Sequence, residues 1–157
     1  MIKKVLFLLI KLNLVYTSYL ERGVMSKNIK EKFEQLYNKY LCDLYPFLNP
    51  HIDEWDYEFI ELDFMPEGWR KSFGLIMCEE IKKALIKNNC LNDYRIAEIN
   101  PKYGGLRWYD YGAPDEVREI IKRYWRLSYH ICESCGEYVE EVHSNIFITL
   151  CDKCLKK

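Results

Sequence analysis

The chain has 157 residues, a formal net charge of −1, 49% apolar residues and 15% aromatic ones. That is too apolar for a disordered segment, lacks the basic excess of a general nucleic-acid binder, and is long enough for one modest domain with a small appendage. Seven cysteines, an odd number, fit a reducing cytoplasm better than a secreted disulfide framework.

Met1 to Ile10 starts like a signal peptide, with Lys3 and Lys4 before an apolar run. Lys11 and Asn13 interrupt that run, no small-residue cleavage site follows, and it is too short to span a bilayer. Glu21-Arg22-Gly23 can be encoded by a purine-rich stretch of the ribosome-binding kind, placed just ahead of a codon for Met25. Translation is therefore expected to start at Met25, leaving residues 1–24 as an extension upstream of the true start. Lys3, Lys4, Lys11 and Arg22 make that extension basic, so the remainder is acidic.

The first helix is predicted over Asn28 to Leu41. Asn28 and Glu31 are spaced as a capping box, and Ile29, Phe33, Leu36, Tyr37, Tyr40 and Leu41 recur at helical spacing. Leu44-Tyr45-Pro46 ends it, and Asn49-Pro50 makes a turn. In Asp53 to Glu67, Trp55, Tyr57 and Phe59 alternate with Glu54, Asp56 and Glu58, which predicts a strand over Trp55–Phe64 with a bulge where the phase shifts to Ile60, Leu62 and Phe64. Asp53, Glu54, Asp56 and Glu58 form either a solvated acidic face or a surface for a basic partner.

Pro66-Glu67-Gly68-Trp69 introduces a second helix, reaching about Lys87, whose buried stripe is Trp69, Phe73, Ile76, Met77, Ile81, Ala84 and Leu85. Asn88-Asn89 ends it. Tyr94 to Ile99 reads as a strand, Asn100 to Gly105 as a turn, and Leu106 to Asp110 as the return strand. Leu106 and Trp108 share one face, Arg107 and Tyr109 the other. Ala113-Pro114-Asp115-Glu116 opens a third helix, with proline and acids suited to its first turn. Val117, Ile120, Ile121, Tyr124 and Leu127 face inward, and Lys122, Arg123 and Arg126 form a basic face.

Two CxxC pairs close the chain: Cys132-Glu-Ser-Cys135-Gly136 and Cys151-Asp-Lys-Cys154. This spacing is the four-thiolate zinc pattern. Two residues between cysteines let one tight turn aim both sulfurs at a single ion, and Gly136 permits the positive φ that turn requires. Glu137–Val142 and Ile146–Leu150, around a turn at His143–Asn145, read as the hairpin of a zinc ribbon. Four thiolates complete the shell, so one structural Zn2+ is expected on Cys132, Cys135, Cys151 and Cys154. The rival readings are two disulfides, or His130 or His143 in place of one cysteine. The metal stands in for a core that so short a segment cannot build.

Taken together, Gly68-Trp69, Lys102-Tyr-Gly-Gly-Leu-Arg-Trp-Tyr109 and the Cys132-Glu-Ser-Cys135-Gly136 … Thr149-Leu-Cys-Asp-Lys-Cys154 tail resemble a group of small proteins encoded by bacteriophages and prophages. That group shares a Gly-Trp helix start, a K-[YF]-G-[GT]-L-R-[FWY]-Y hairpin, a helix and a terminal CxxCG…TLCxxC ribbon. The likeness spans about Pro66 to Cys154 and implies a mobile-element accessory protein. The Lys-, Ile- and Asn-rich composition suggests an AT-rich host.

The expected architecture is α+β: three helices on a small antiparallel sheet that joins the Trp55–Phe64 strand to the 94–110 hairpin, spanning 25–128, with a zinc ribbon over 129–157 packed on it. The expected function is non-enzymatic binding of a host or phage protein in the bacterial cytoplasm, for instance inhibition of a defence nuclease complex in the manner of an anti-CRISPR. Asp53, Glu54, Asp56 and Glu58 are candidate contacts. The alternative is nucleic-acid binding through Lys102, Arg107, Trp108, Lys122, Arg123 and Arg126, with Lys153, Lys156 and Lys157. Arg107 is otherwise a clamp onto the acidic strand. No nucleophile elbow, phosphate loop or carboxylate metal motif points to an enzyme.

Overall fold

A computed structural model describes residues 26–49, 59–140 and 147–156. The first helix, α1, spans Lys27–Leu44. It starts one residue earlier than the spacing predicts, so no Asn28–Glu31 capping box forms. The Ser26 carbonyl accepts from the Ile29 and Lys30 N–H groups, and Glu31 pairs with Lys27 at 3.8 Å. Only the C-terminal half of α1 reaches the core, through Leu41 and Cys42; Ile29 and Leu36 stay exposed. Tyr45 and a 3-10 turn at Pro46–Leu48 then bury Phe47 and Leu48.

The expected strand over Trp55–Phe64 is corrected where it can be seen. Residues 55–58 lie outside the described residues, and Glu61–Phe64 is a 3-10 turn. Its cause is Asp63. The carboxylate accepts from the Ile60 N–H at 3.0 Å, from Asn38 Nδ2 at 3.1 Å and from Arg70 Nη1 at 2.7 Å. A local side-chain acceptor thus closes the turn and ties it to two helices, winning over the strand-like alternation. Asp63→Ala should cost about 2 kcal/mol, because it removes the acceptor of the buried Ile60 N–H together with the bonds to Asn38 and Arg70; urea unfolding of the variant measures this.

A continuous helical run follows: an α-turn at Glu67–Trp69, a π-helical turn at Arg70–Gly74, and α2 at Leu75–Lys87. The extra residue of the π turn resets the phase. Trp69, Phe73, Met77, Ile81 and Leu85 are buried, whereas Ile76, expected in the stripe, is exposed. Asn88 caps α2 and Asn89 takes a positive φ.

Strands β1 (Arg95–Lys102) and β2 (Gly105–Tyr111) form a two-stranded antiparallel sheet. Lys102 pairs with Gly105, so the turn is only Tyr103-Gly104, shorter than expected. Both have positive φ, 54° and 71°, the two-residue turn whose twist suits a hairpin. Ile99, Leu106 and Trp108 point into the core, as the alternation predicts. The Trp108 indole N–H donates to the Tyr94 hydroxyl at 2.8 Å. Helix α3 (Asp115–Ser128) packs on both α2 and β2 and buries Val117 and Tyr124. The chain is therefore α+β, with its cysteine tail at the C-terminal end, where a short helix α4 spans Asp152–Leu155. Among the described residues no helix is long and apolar enough to cross a membrane.

Candidate metal centre

The first knuckle begins where α3 ends. Ile131 bridges to Tyr138, the Cys132 N–H donates to the Glu137 carbonyl at 2.8 Å, and the Gly136 N–H donates to the Cys132 carbonyl at 2.9 Å. Gly136 has a φ of +82°. In the second knuckle Cys151 starts α4, its carbonyl accepting from Cys154 and Leu155. Glu133 joins the two: its N–H donates to the Thr149 carbonyl at 2.8 Å and its carboxylate accepts the Thr149 N–H at 2.8 Å. Lys153 adds an ion pair to Glu137 at 3.2 Å.

These contacts bring the sulfurs of Cys132, Cys135, Cys151 and Cys154 within 4.8 Å of one another. A tetrahedron of thiolates on one ion has edges of about 3.8 Å, given metal–sulfur bonds near 2.3 Å, so the group fits a single metal. All seven cysteines lie among the described residues and none is in a disulfide, with the Cys135 and Cys151 sulfurs 3.6 Å apart. His130 does not take a ligand's place: its ring stacks on Tyr138 and its Nδ1 faces the Val139 carbonyl. His143 lies outside the described residues. The expected hairpin between the knuckles is not seen: its tip, 141–146, lies outside the described residues, and the flanks 137–140 and 147–150 form no ladder with each other.

The donor chemistry agrees with the geometry. Burial opposes ionisation of Cys132, but the N–H groups of Cys135, Cys151 and Ser134 outweigh it and bring the thiol down to about 6. The Glu137 N–H favours a Cys135 thiolate, yet burial and the three neighbouring sulfurs push that thiol up to about 12. Sulfurs crowded this way cannot all ionise by themselves; a cation among them removes the conflict.

The centre is fastened to the body at two places. At the helix start, the Gly68 N–H donates to the Glu133 carbonyl at 2.8 Å, and the buried Trp69 indole N–H donates to the Ile131 carbonyl at 2.7 Å. Gly68 and Gly136 touch backbone to backbone: a Cβ on Gly68 would lie 2.1 Å from the Cys132 carbonyl oxygen and 2.5 Å from Gly136 N. At the hairpin tip, Thr149 Oγ1 donates to the Gly104 carbonyl at 3.0 Å. Gly105 lies under the Tyr129 ring, where a Cβ would come within 2.5 Å. Gly68-Trp69 and the Tyr-Gly-Gly turn are thus the seats of the knuckles. Sequence reasoning singled out both segments without assigning them this role, and Glu133 and Thr149 were missed; each is an ordinary residue whose partner lies far along the chain.

The other candidate residues do not form one surface: Arg107 and Lys122 share one cleft, Arg123 and Arg126 another. Trp108 is buried, with its indole N–H already satisfied, so its role as a stacking contact is withdrawn. Arg123 pairs with Glu80 across α2 and α3, and Arg126 lines the same interhelical groove. Lys102 lies beside the Tyr103 ring at the hairpin tip. Arg107 lies over the Trp125 ring and, among the described residues, has no carboxylate partner; Lys122 lines the same cleft. Asp53, Glu54, Asp56 and Glu58 lie outside the described residues; of the acidic stretch that is described, Glu61 accepts from the Ile99 N–H, and Asp63 and Glu67 pair with Arg70 and Lys71, not with Arg107. Comparison with family models, with curated proteins and with solved structures finds no match.

Proposed function

We propose that this chain is a zinc-stapled binding module: a phage or mobile-element accessory protein that works without catalysis in the host cytoplasm, by holding a protein partner. A defence nuclease complex is the concrete candidate. The observation that carries this reading is the set of four sulfurs within 4.8 Å of one another. An all-thiolate set favours a soft or borderline ion, zinc above all. Four protein ligands leave no open position for a substrate, so the ion's work is structural. What it supports is a fixed surface, since the knuckles bond to both the Glu67–Trp69 turn and the β1–β2 tip. The nucleic-acid alternative is weakened by the burial of Trp108 and by the pairing of Arg123 with Glu80.

The test begins with elemental analysis of freshly purified protein, expected to give about one zinc per chain. Tagged chain is then used to capture partners from host lysate, with a chelator-stripped sample as control. A stoichiometric protein partner held only by metal-replete chain is the expected result. A metal-free preparation, or capture of nuclease-sensitive nucleic acid in place of protein, overturns the reading.

A further inference from the structure

Resting on that reading, we propose that the cleft between β2 and α3 is the partner-binding site and that it takes an acidic peptide segment. The cleft has a volume of about 320 Å3 and is lined by Arg107, Tyr109, Arg118, Ile121, Lys122 and Trp125, among others. That size admits a few side chains, in the range of small-ligand sites. Three cations meet there, on a chain whose formal charge is −1.

Arg107 carries most of the argument. Its guanidinium lies 5.8 Å from the centre of the Trp125 ring, and its one hydrogen bond among the described residues is a long 3.5 Å contact to the Leu106 carbonyl. A guanidinium placed over an indole is held on the ring side by the cation–π attraction and leaves N–H groups free for a carboxylate. Among the described residues, the ion pairs of Arg118 and Lys122 are those to Asp115 and Glu119, at 3.5 Å, on their own exposed helix surface, with Asp110 also near Arg118. Such pairs are weak and exchange readily for a better carboxylate. Among the described residues, the buried Trp125 indole N–H has no acceptor, a defect that a native fold seldom leaves unexplained. Tyr109, half exposed on the same rim, and Ile121 give an aromatic or aliphatic neighbour somewhere to pack.

A peptide fits better than a nucleic acid. Asp110, Asp115 and Glu119 border the three cations, and the next cation along α3, Arg123, is spent on Glu80. A phosphate backbone requires a continuous basic track; one or two carboxylates on a peptide require only this cluster.

Fluorescence anisotropy with metal-replete full chain tests the proposal, the probe being a fluorescein-labelled peptide of sequence Glu-Asp-Tyr-Glu-Asp-Glu and the competitor a labelled oligothymidylate. Saturable binding of the peptide that weakens with added salt is expected. Arg107→Ala should weaken it at least about tenfold, Arg107→Lys less, and Lys122→Glu by a similar amount, whereas Lys83→Ala on the far groove leaves it unchanged. Metal content and circular dichroism of each variant confirm that the fold is intact. The proposal falls if the peptide shows no saturable binding, if Arg107→Ala and Lys122→Glu both bind as the parent does, or if oligothymidylate binds more tightly. Should the peptide fail while the chain still captures a protein partner, the cleft is wrong and the binding-module reading stands.

Discussion

Cys132→Ser should empty the metal centre. Cys132 is fully buried at the junction of α3, the knuckle and the Glu67–Trp69 turn, so a serine oxygen there can neither reach the ion at a sulfur's distance nor draw help from solvent. Metal affinity is expected to drop by more than about a hundredfold, and elemental analysis of the purified variant should read close to zero. The damage should spread. Metal binding and folding are one equilibrium in such segments, and the carbonyls of Ile131 and Glu133 anchor Trp69 and Gly68. Amide exchange at Glu67–Trp69 should therefore accelerate in the variant, and chelation of the parent should reproduce the effect. Unchanged metal content would remove Cys132 from the ligand set.

Gly68→Ala should be the most damaging single methyl group. By helix propensity alone the change is favourable by about 1 kcal/mol. Here the new Cβ meets three main-chain atoms: the Cys132 oxygen at 2.1 Å, Gly136 N at 2.5 Å and the Glu133 oxygen at 2.8 Å. None belongs to a side chain that can swing aside, so the knuckle must lift off the helix. The expected cost is at least about 3 kcal/mol, or roughly 10 °C in melting temperature for a chain of this size. Gly74→Ala is the internal control. Its Cβ would lie no closer than 3.4 Å to the movable Met65 sulfur, and stability should stay within about 1 kcal/mol of the parent. Equal stabilities for the two variants would show that the Gly68–Gly136 contact does not hold the centre.

The parts legible in the sequence were those that local chemistry decides. A CxxC pair aims two sulfurs wherever it occurs, and two such pairs have few other uses, so the four-sulfur cluster was readable directly. The inward turn of Leu106 and Trp108 followed from strand alternation; listing Trp108 also as a surface contact ignored that same alternation. Residues 60–64 misled because Ile60, Leu62 and Phe64 alternate like a strand, while the deciding interaction is the Asp63 carboxylate and its bonds to Asn38 and Arg70. No window of neighbouring residues contains those partners. The seating of the knuckles was invisible for the same reason. Gly68 looks like a helix-start glycine until Gly136 is placed against it.

That contact also sets an order on synthesis. The ribosome releases Gly68 and Trp69 long before Ile131, Glu133 and Gly136, so the nascent protein emerges with the Gly68 N–H and the Trp69 indole N–H lacking their acceptors. The N-terminal helices must wait, incompletely locked, for the last segment to leave the exit tunnel and collect its ion. A truncated translation product that stops short of the cysteine tail is thus born with an unfinished helix start and should be cleared by proteases faster than the full-length chain.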